Sequence, residues 1–308
     1  MDLLKGIGFK IISVMMMAVM SALIRKLGET TPVGQMVFFR SAFAILPVLL
    51  IYAWRGEIRA ALYTRRPRGQ IGRGSLSVCA MFSNFGALTR LPLADVTAIQ
   101  FAAPLMTVAL AAVILKERVR FYRWTAVAVG FVGVIVMLIP HFDSSRYAAI
   151  GGAVAITGAT FAVISAFFNA GVVIQTRRLT QSEPTSSIVF YFSLICALAG
   201  ALTLPFDWHT PTTSELIGLI VLGVLGGIAQ IFMTESFRFA PASVIAPFDY
   251  TTMLWALLIG YWVFGELPAP LVYVGCVIVS GAGLFVIWRE RQLGLGRDRD
   301  TATPPPAA

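Results

Sequence analysis

Ten apolar stretches run along the chain, at residues 7–24, 35–54, 74–91, 95–115, 121–139, 151–173, 185–205, 215–234, 243–264 and 270–288. Each approaches the roughly 20 residues that a helix needs to cross a hydrocarbon core. Polar and Gly- or Pro-containing segments separate them, so the pattern predicts an all-α integral membrane protein with ten transmembrane helices. The connections are short, which leaves no room for a soluble domain beside the membrane domain. The first stretch reads as a mature helix rather than a signal peptide. No small-residue cleavage site precedes Arg25-Lys26-Leu27-Gly28-Glu29, and nine more stretches follow.

Composition agrees with the pattern. Of 308 residues, 57% are hydrophobic and 13% charged, and the mean hydropathy is +0.80; a soluble globule carries about 25% charged residues. The formal net charge of +9 would suit nucleic acid or an acidic surface, but its placement points to topology instead. With the N-terminus cytoplasmic, 19 of the 24 Lys and Arg residues fall on the inner side, among them Arg55, Arg65, Arg66, Arg73, Lys116, Arg118 and Arg289. Four fall outside (Arg25, Lys26, Arg90 and Arg146) and Arg40 lies within a span. Such a bias places both termini in the cytoplasm and removes the need for a nucleic-acid partner. Residues 289–308 are charged and end in Pro304-Pro305-Pro306-Ala307-Ala308, which predicts a disordered cytoplasmic tail.

The two halves match each other. Arg25-Lys26-Leu27 corresponds to Arg177-Arg178-Leu179 and Pro32 to Pro184 at an offset of 152 residues. At an offset of 149, Pro92 corresponds to Pro241, Gln100 to Asp249 and Lys116-Glu117 to Gly265-Glu266. Residues 1–139 and 151–288 therefore read as two five-helix repeats. Five is odd, so the second copy enters the bilayer from the opposite side. Inverted repeats of this kind mark alternating-access transporters, with substrate held near the midplane where the repeats meet.

The run Pro32–Arg40 with Gln35, Phe38 and Phe39, the ending Leu115-Lys116-Glu117, its counterpart Phe264-Gly265-Glu266, and the ten-span plan resemble the EamA type of the drug/metabolite transporter superfamily over residues 7 to 288. The segments from Lys5 to Lys26 and from Pro32 to Ala44 also resemble the bacterial riboflavin-importer branch. The resemblance implies a central cavity lined by the first, third, fourth, sixth, eighth and ninth helices. It also implies a transporter without an ATP-hydrolysing module. Riboflavin uptake is the substrate it suggests first, with export or exchange of amino acids, S-adenosylmethionine or other metabolites as the alternative. A non-transporting sensor or scaffold is the reading from another class, although no soluble module accompanies the spans.

Polar groups deep in apolar helices are the candidate substrate contacts. Asp249 carries an insertion cost of about 2.5–3.5 kcal/mol at a helix centre and is read as a contact for substrate or proton, or as a structural hydrogen-bonding group. Gln100 is its repeat-related partner. Pro104 and Pro247 nearby remove backbone donors. Asn84 and Asn169 are neutral amides that donate and accept, as a flat heterocycle requires, or that bond helix to helix. Gln230 lies on a small and polar stripe with Gly223, Gly227 and Thr234, where the glycines serve close packing. Phe101 and Tyr250 flank these positions and offer ring faces for stacking. Arg40 is expected to snorkel or to pair with a helix-end carbonyl, anion binding being its functional alternative. Glu117 and Glu266 are expected to cap or pair locally.

No phosphate-binding Gly-x-x-x-x-Gly-Lys-Ser/Thr loop, Gly-x-Ser-x-Gly elbow or clustered carboxylate pair occurs in the sequence. The histidines, His141 and His209, and the cysteines, Cys79, Cys196 and Cys276, are dispersed, so neither a metal site nor a disulfide framework is expected. An enzyme is not expected and no cofactor is assigned. The partners expected are a small-molecule substrate and membrane lipid, with a homodimer allowed.

Overall fold

The computed structural model describes residues 3–54, 56, 58, 62–114, 121–142, 152–179, 182–239 and 246–292. Among them there is no strand. The helices are α1 Leu3–Leu27, α2 Val33–Trp54, α3 Pro67–Leu88, α4 Leu93–Gln100, α5 Ala102–Ile114, α6 Phe121–Leu138, α7 Gly152–Leu179, α8 Thr185–Ala201, α9 Leu204–Asp207, α10 Thr213–Phe239, α11 Thr251–Phe264 and α12 Pro270–Gln292. Short 3₁₀ turns occupy Ile139–Phe142 and Ala246–Tyr250. The segments 115–120, 143–151, 240–245 and 293–308, with Glu117, Pro241 and most of the expected tail, lie outside the described residues; residues 289–292 of that tail are instead the last turn of α12.

Prolines set many of these boundaries. Pro67 stands in the first turn of α3, Pro92 and Pro184 precede α4 and α8 as N-cap residues, and Pro270 opens α12; a missing N–H costs nothing where the helix has no acceptor to offer. Pro104 has the opposite effect. It cannot donate to the Gln100 carbonyl four residues back, and the fourth apolar stretch is split there, with Phe101 joining α4 to α5. Gly265 closes α11 at φ 66°, a left-handed cap open to glycine, with the Glu266 N–H donating to the Gly260 carbonyl at 3.0 Å.

Several helices outrun the apolar stretches. The third begins at Pro67 rather than at residue 74, and α7 continues from 173 to Leu179. Arg and Gln at these ends are good helix formers, so hydrogen bonding continues where hydrophobicity stops. Among the described residues, five helical segments are by length and composition long and apolar enough to cross a membrane: Leu4–Leu27, Leu93–Leu110 (α4 with the start of α5), Gly152–Thr176, Ser186–Phe206 and Thr213–Met233. Three shorter apolar helices, Val33–Pro47, Trp124–Leu138 and Pro270–Val286, join them.

α1 lies along α10 and α3 along α7, α2 packs on α8 and α10, α3 also meets α8, and α6 pairs with α12. α4 touches α11, and α5 rests on α7 as α11 does on α1. Small residues permit these approaches. Ala155, Ala159, Ala162, Ala166 and Ala170 form one buried stripe down α7, the pattern by which helices pack closely in lipid. At Gly223 a Cβ would stand 2.8 Å from the Phe39 carbonyl oxygen and strike Phe43, and at Gly227 it would stand 2.6 Å from Pro47. The close-packing reading of those two glycines therefore holds. The outer faces are apolar too: Trp262 is 79% exposed, Val277 73% and Ile135 60%.

Candidate functional site

Three of the expected polar residues meet. The Gln100 Nε2–H donates to Asn84 Oδ1 at 3.1 Å and to the Ala162 carbonyl at 3.5 Å, and Asn169 Nδ2–H donates to Gln100 Oε1 at 3.4 Å. Asn169 also donates to Ser165 Oγ at 3.4 Å. The amides come from α3, the C-terminus of α4 and α7, and all three are half-buried. The break before Pro104 puts Gln100 at a helix end. Each amide retains donor or acceptor capacity beyond these bonds, so the group can exchange an internal partner for a polar ligand.

The break also turns Phe101 toward the other half. Its ring lies 5.2 Å from that of Tyr250 in a T-shaped contact, at an interplanar angle of 61°. Tyr250 ends the 3₁₀ turn that carries Asp249, and its hydroxyl packs against Gly283 of α12, where a Cβ would strike it. Gln100 and Phe101 thus correspond to Asp249 and Tyr250 at the same 149-residue offset, and the two aromatic members touch.

Asp249 has a partner that sequence reasoning did not assign. Lys10 Nζ lies 2.6 Å from Asp249 Oδ1. Lys10 was counted with the inner-side charges; it lies instead on α1 with its side chain 1% exposed, whereas Asp249 is 55% exposed. Its position inside the first apolar stretch was the available signal. Lys10 and Ala162 are also offset by 152 residues, so the Lys10–Asp249 pair occupies the place in one half that the Ala162–Gln100 bond occupies in the other. The same relation links two buried hydroxyls: Ser13 Oγ donates to the Ala229 carbonyl at 2.7 Å and Ser165 Oγ to the Ala80 carbonyl at 3.0 Å.

Gln230 is half-buried on α10, beside Ala229 on the helix that packs along α1, and makes a polar or ring contact of its own. Arg40 departs from expectation. It does not snorkel and bonds no carbonyl among the described residues; it is 6% exposed, with its guanidinium carbon 5.4 Å from the Phe192 ring centroid. The physical reason is reach: two turns into α2, the guanidinium is drawn inward to a ring face rather than back along the helix. Glu266 departs as well. Its partner is distant in sequence: Arg25, at the end of α1, donates to Glu266 and to the Leu91 carbonyl and stands 5.3 Å over Phe264. Burial pushes the Glu266 carboxyl up from its ordinary value, against the downward pull of the Arg25 guanidinium.

Among the described residues no group of three or more His, Cys, Asp or Glu side chains is placed to hold a metal ion. Cys79, Cys196 and Cys276 are free thiols.

Comparison with known proteins sets this arrangement in a family. The model of the EamA-like transporter family matches residues 4–139 and 156–289. An S-adenosylmethionine uptake transporter of Rickettsia prowazekii is 29% identical over 289 residues, covering 94% of each chain. The pseudopaline exporter CntI of Pseudomonas aeruginosa is 28% identical over 91% of this chain and 95% of its own. A riboflavin transporter of Rhizobium johnstonii is 28% identical over 84% of this chain and 82% of its own. A protein crystal structure at 18% identity superposes with a TM-score of 0.64, covering 94% of this chain and 98% of that one, and shares the fold. The chain belongs to the EamA-like transporter family, within the drug/metabolite transporter superfamily, and is a multi-pass membrane transporter of that type.

Proposed function

We propose that the protein is a secondary transporter of the bacterial inner membrane, with ten spans in two inverted five-helix repeats and both termini cytoplasmic. The repeats are residues 1–139 and 151–288, and they rock about the line where Phe101 meets Tyr250. The observation that carries this reading is the exchange of equivalent contacts between the halves. Ser13 and Ser165 reach Ala229 and Ala80, and Asp249 and Gln100 reach α1 and α7 at Lys10 and Ala162. Repeats that pack through equivalent contacts can exchange conformations about a pseudo-two-fold axis, giving two packings of similar energy, which alternating access requires.

The substrate that fits is a small metabolite with a heteroaromatic ring and charged groups. The Asn84–Gln100–Asn169 group offers donors and acceptors to ring nitrogens and exocyclic groups. Phe101 and Tyr250 offer ring faces, and the Lys10–Asp249 pair supplies charges of both signs. S-adenosylmethionine meets all three demands, and four of the similar curated proteins carry that substrate in their names. Riboflavin, the substrate suggested first by the sequence, is the second reading; the neutral amides and aromatic pair suit its ring, and a relative transports it.

Uptake of radiolabelled S-adenosylmethionine and riboflavin into proteoliposomes holding the full chain separates the two. S-adenosylmethionine is expected to enter, and Gln100→Ala and Asn169→Ala to slow it by about tenfold, the loss of about 1.4 kcal/mol of binding. Entry of riboflavin alone, with rescue of a riboflavin-requiring bacterium, would select the second reading. Entry of neither would overturn both.

A further inference from the structure

Two arginines outside the group above meet inside the helix bundle. Arg40 comes from α2 and Arg73 from α3, and their guanidinium carbons lie 5.4 and 5.0 Å from the centroid of one ring, Phe192 of α8. Arg73 has fixed partners: its Nε–H donates to Thr176 Oγ1 at 2.8 Å and its Nη1–H to the Ile188 carbonyl at 3.3 Å. Arg40 is held differently. It is 6% exposed, and its Nε and Nη1 are buried without a hydrogen-bond partner among the described residues. The described ion pairs join Lys10 to Asp249, Arg25 to Glu266 and His209 to Glu215, and none reaches Arg40 or Arg73.

Arginine stays charged in proteins, and a charge within an apolar bundle is retained where it has work to do. The Phe192 face attracts the cation but accepts no N–H bond in the plane of the fork. The neighbours do not supply that acceptor. The Ser41 hydroxyl donates to Met81 Sδ at 3.7 Å and accepts nothing from Arg40. On α10, Gly226 has no side chain to cover the guanidinium edge: the place of its Cβ lies 3.4 Å from Arg40 Nε and 3.7 Å from Nη2, with Met20 Sδ 3.0 Å away. The Nε–Nη2 edge thus faces Gly226 of α10 beside Met20 of α1, with Nε its unpartnered member and Nη1 unpartnered on the other edge among the described residues. A carboxylate is the group whose two oxygens match such a fork.

We propose that Arg40 binds the carboxylate of the transported solute, with Arg73 as a positioning residue that adds positive charge behind Phe192. The substrate class becomes a carboxylate-bearing metabolite, such as the aminoacyl end of S-adenosylmethionine, and riboflavin, which has no carboxylate, falls outside it. This inference rests on the transport reading for its substrate but not for its chemistry, and the experiment separates the two.

The full chain in lipid nanodiscs is melted in sodium acetate and in sodium chloride at equal ionic strength, as wild type, Arg40→Gln and Arg40→Lys. Acetate is expected to raise the wild-type Tm saturably above its value in chloride. Arg40→Gln should lose that rise, and Arg40→Lys, which keeps the charge without the fork, should retain less than half of it. In proteoliposomes, S-adenosylmethionine should compete for uptake at least tenfold better than its decarboxylated analogue with wild type, and less than threefold better with Arg40→Gln. Should Arg40→Gln fail to fold, Arg40→Lys carries both readouts. An acetate effect unchanged in the variants, an equal effect of chloride, or an unchanged preference for the carboxylate overturns the proposal. An acetate effect that depends on Arg40 in a protein that does not carry S-adenosylmethionine upholds the carboxylate site and overturns only the named substrate.

Discussion

The Lys10–Asp249 pair is unequal, and that inequality predicts which half of it the protein can lose. Nζ and Oδ1 are 2.6 Å apart, but the Lys10 side chain is 1% exposed and the Asp249 side chain 55%. Removing the lysine leaves a carboxylate that water can solvate, and pairs of exposed charges are worth about 0–1 kcal/mol. Removing the carboxylate strands an ammonium inside the bundle, where breaking a buried pair costs about 3–5 kcal/mol. Lys10 has a further interaction, which places its loss at the lower end. Asp249→Asn is therefore expected to cost about 3 kcal/mol and Lys10→Met about 1 kcal/mol, a difference of roughly 30-fold in the unfolding equilibrium. The double variant Lys10→Met/Asp249→Asn should be more stable than Asp249→Asn alone, because no buried charge remains to be stranded. Equilibrium unfolding in mixed detergent and dodecyl sulfate micelles measures all three. Equal costs for the two single variants, or a double variant no better than Asp249→Asn, would refute the argument that burial of the lysine dominates.

Three more outcomes follow from the geometry. Ser13→Ala and Ser165→Ala each remove a hydroxyl bonded to a carbonyl of the facing helix; each should cost about 0.6 kcal/mol, the average for interhelical bonds in membranes, and unfolding measurements that separate them by more than about 1 kcal/mol would deny their equivalence. Gly283→Ala drives a methyl into the Tyr250 hydroxyl; overpacking of this kind costs about 1–3 kcal/mol, and adding Tyr250→Phe should recover part of the lost stability and transport. Glu266 has its carboxyl raised by burial, so the folded protein holds that proton more tightly than the unfolded chain. Its contribution is fully present below the ordinary value of 4.5 and is lost as pH rises through the raised one. Melting profiles should show stability falling through that window in wild type, and a flatter profile in Glu266→Gln.

Much of the architecture was legible in the chain because it is set by properties each segment carries alone. Apolar length defines a helix that can live in lipid, and Pro92, Pro184 and Pro270 stand where helices start, since their missing N–H groups are tolerated there; Pro67 does the same for α3, but apolar length alone put that start at residue 74. Pro104 marked the break beside Gln100 for the same local reason. The repeat was visible because the offsets of 152 and 149 residues survive in the order of residues, and they matched Gln100 to Asp249 before any contact was known. Partnerships are different, because a hydrogen bond or an ion pair belongs to two segments at once. Periodicity could nominate Asn84, Gln100 and Asn169 as buried amides, but only the packing of α3 on α7, with the end of α4 beside them, made them one group. Lys10 looked like an interfacial charge until α1 was seen to turn it toward Asp249. Arg40 looked like a snorkelling side chain until α2 was seen against α8 and α10, where Phe192 meets the cation and Gly226 stands beside its Nε without offering an acceptor side chain. Hydropathy assigns each of these residues a depth along its own helix; which neighbour it meets depends on how the helices rotate against one another, and that is decided by small buried residues such as Gly223, Gly227 and the alanines of α7.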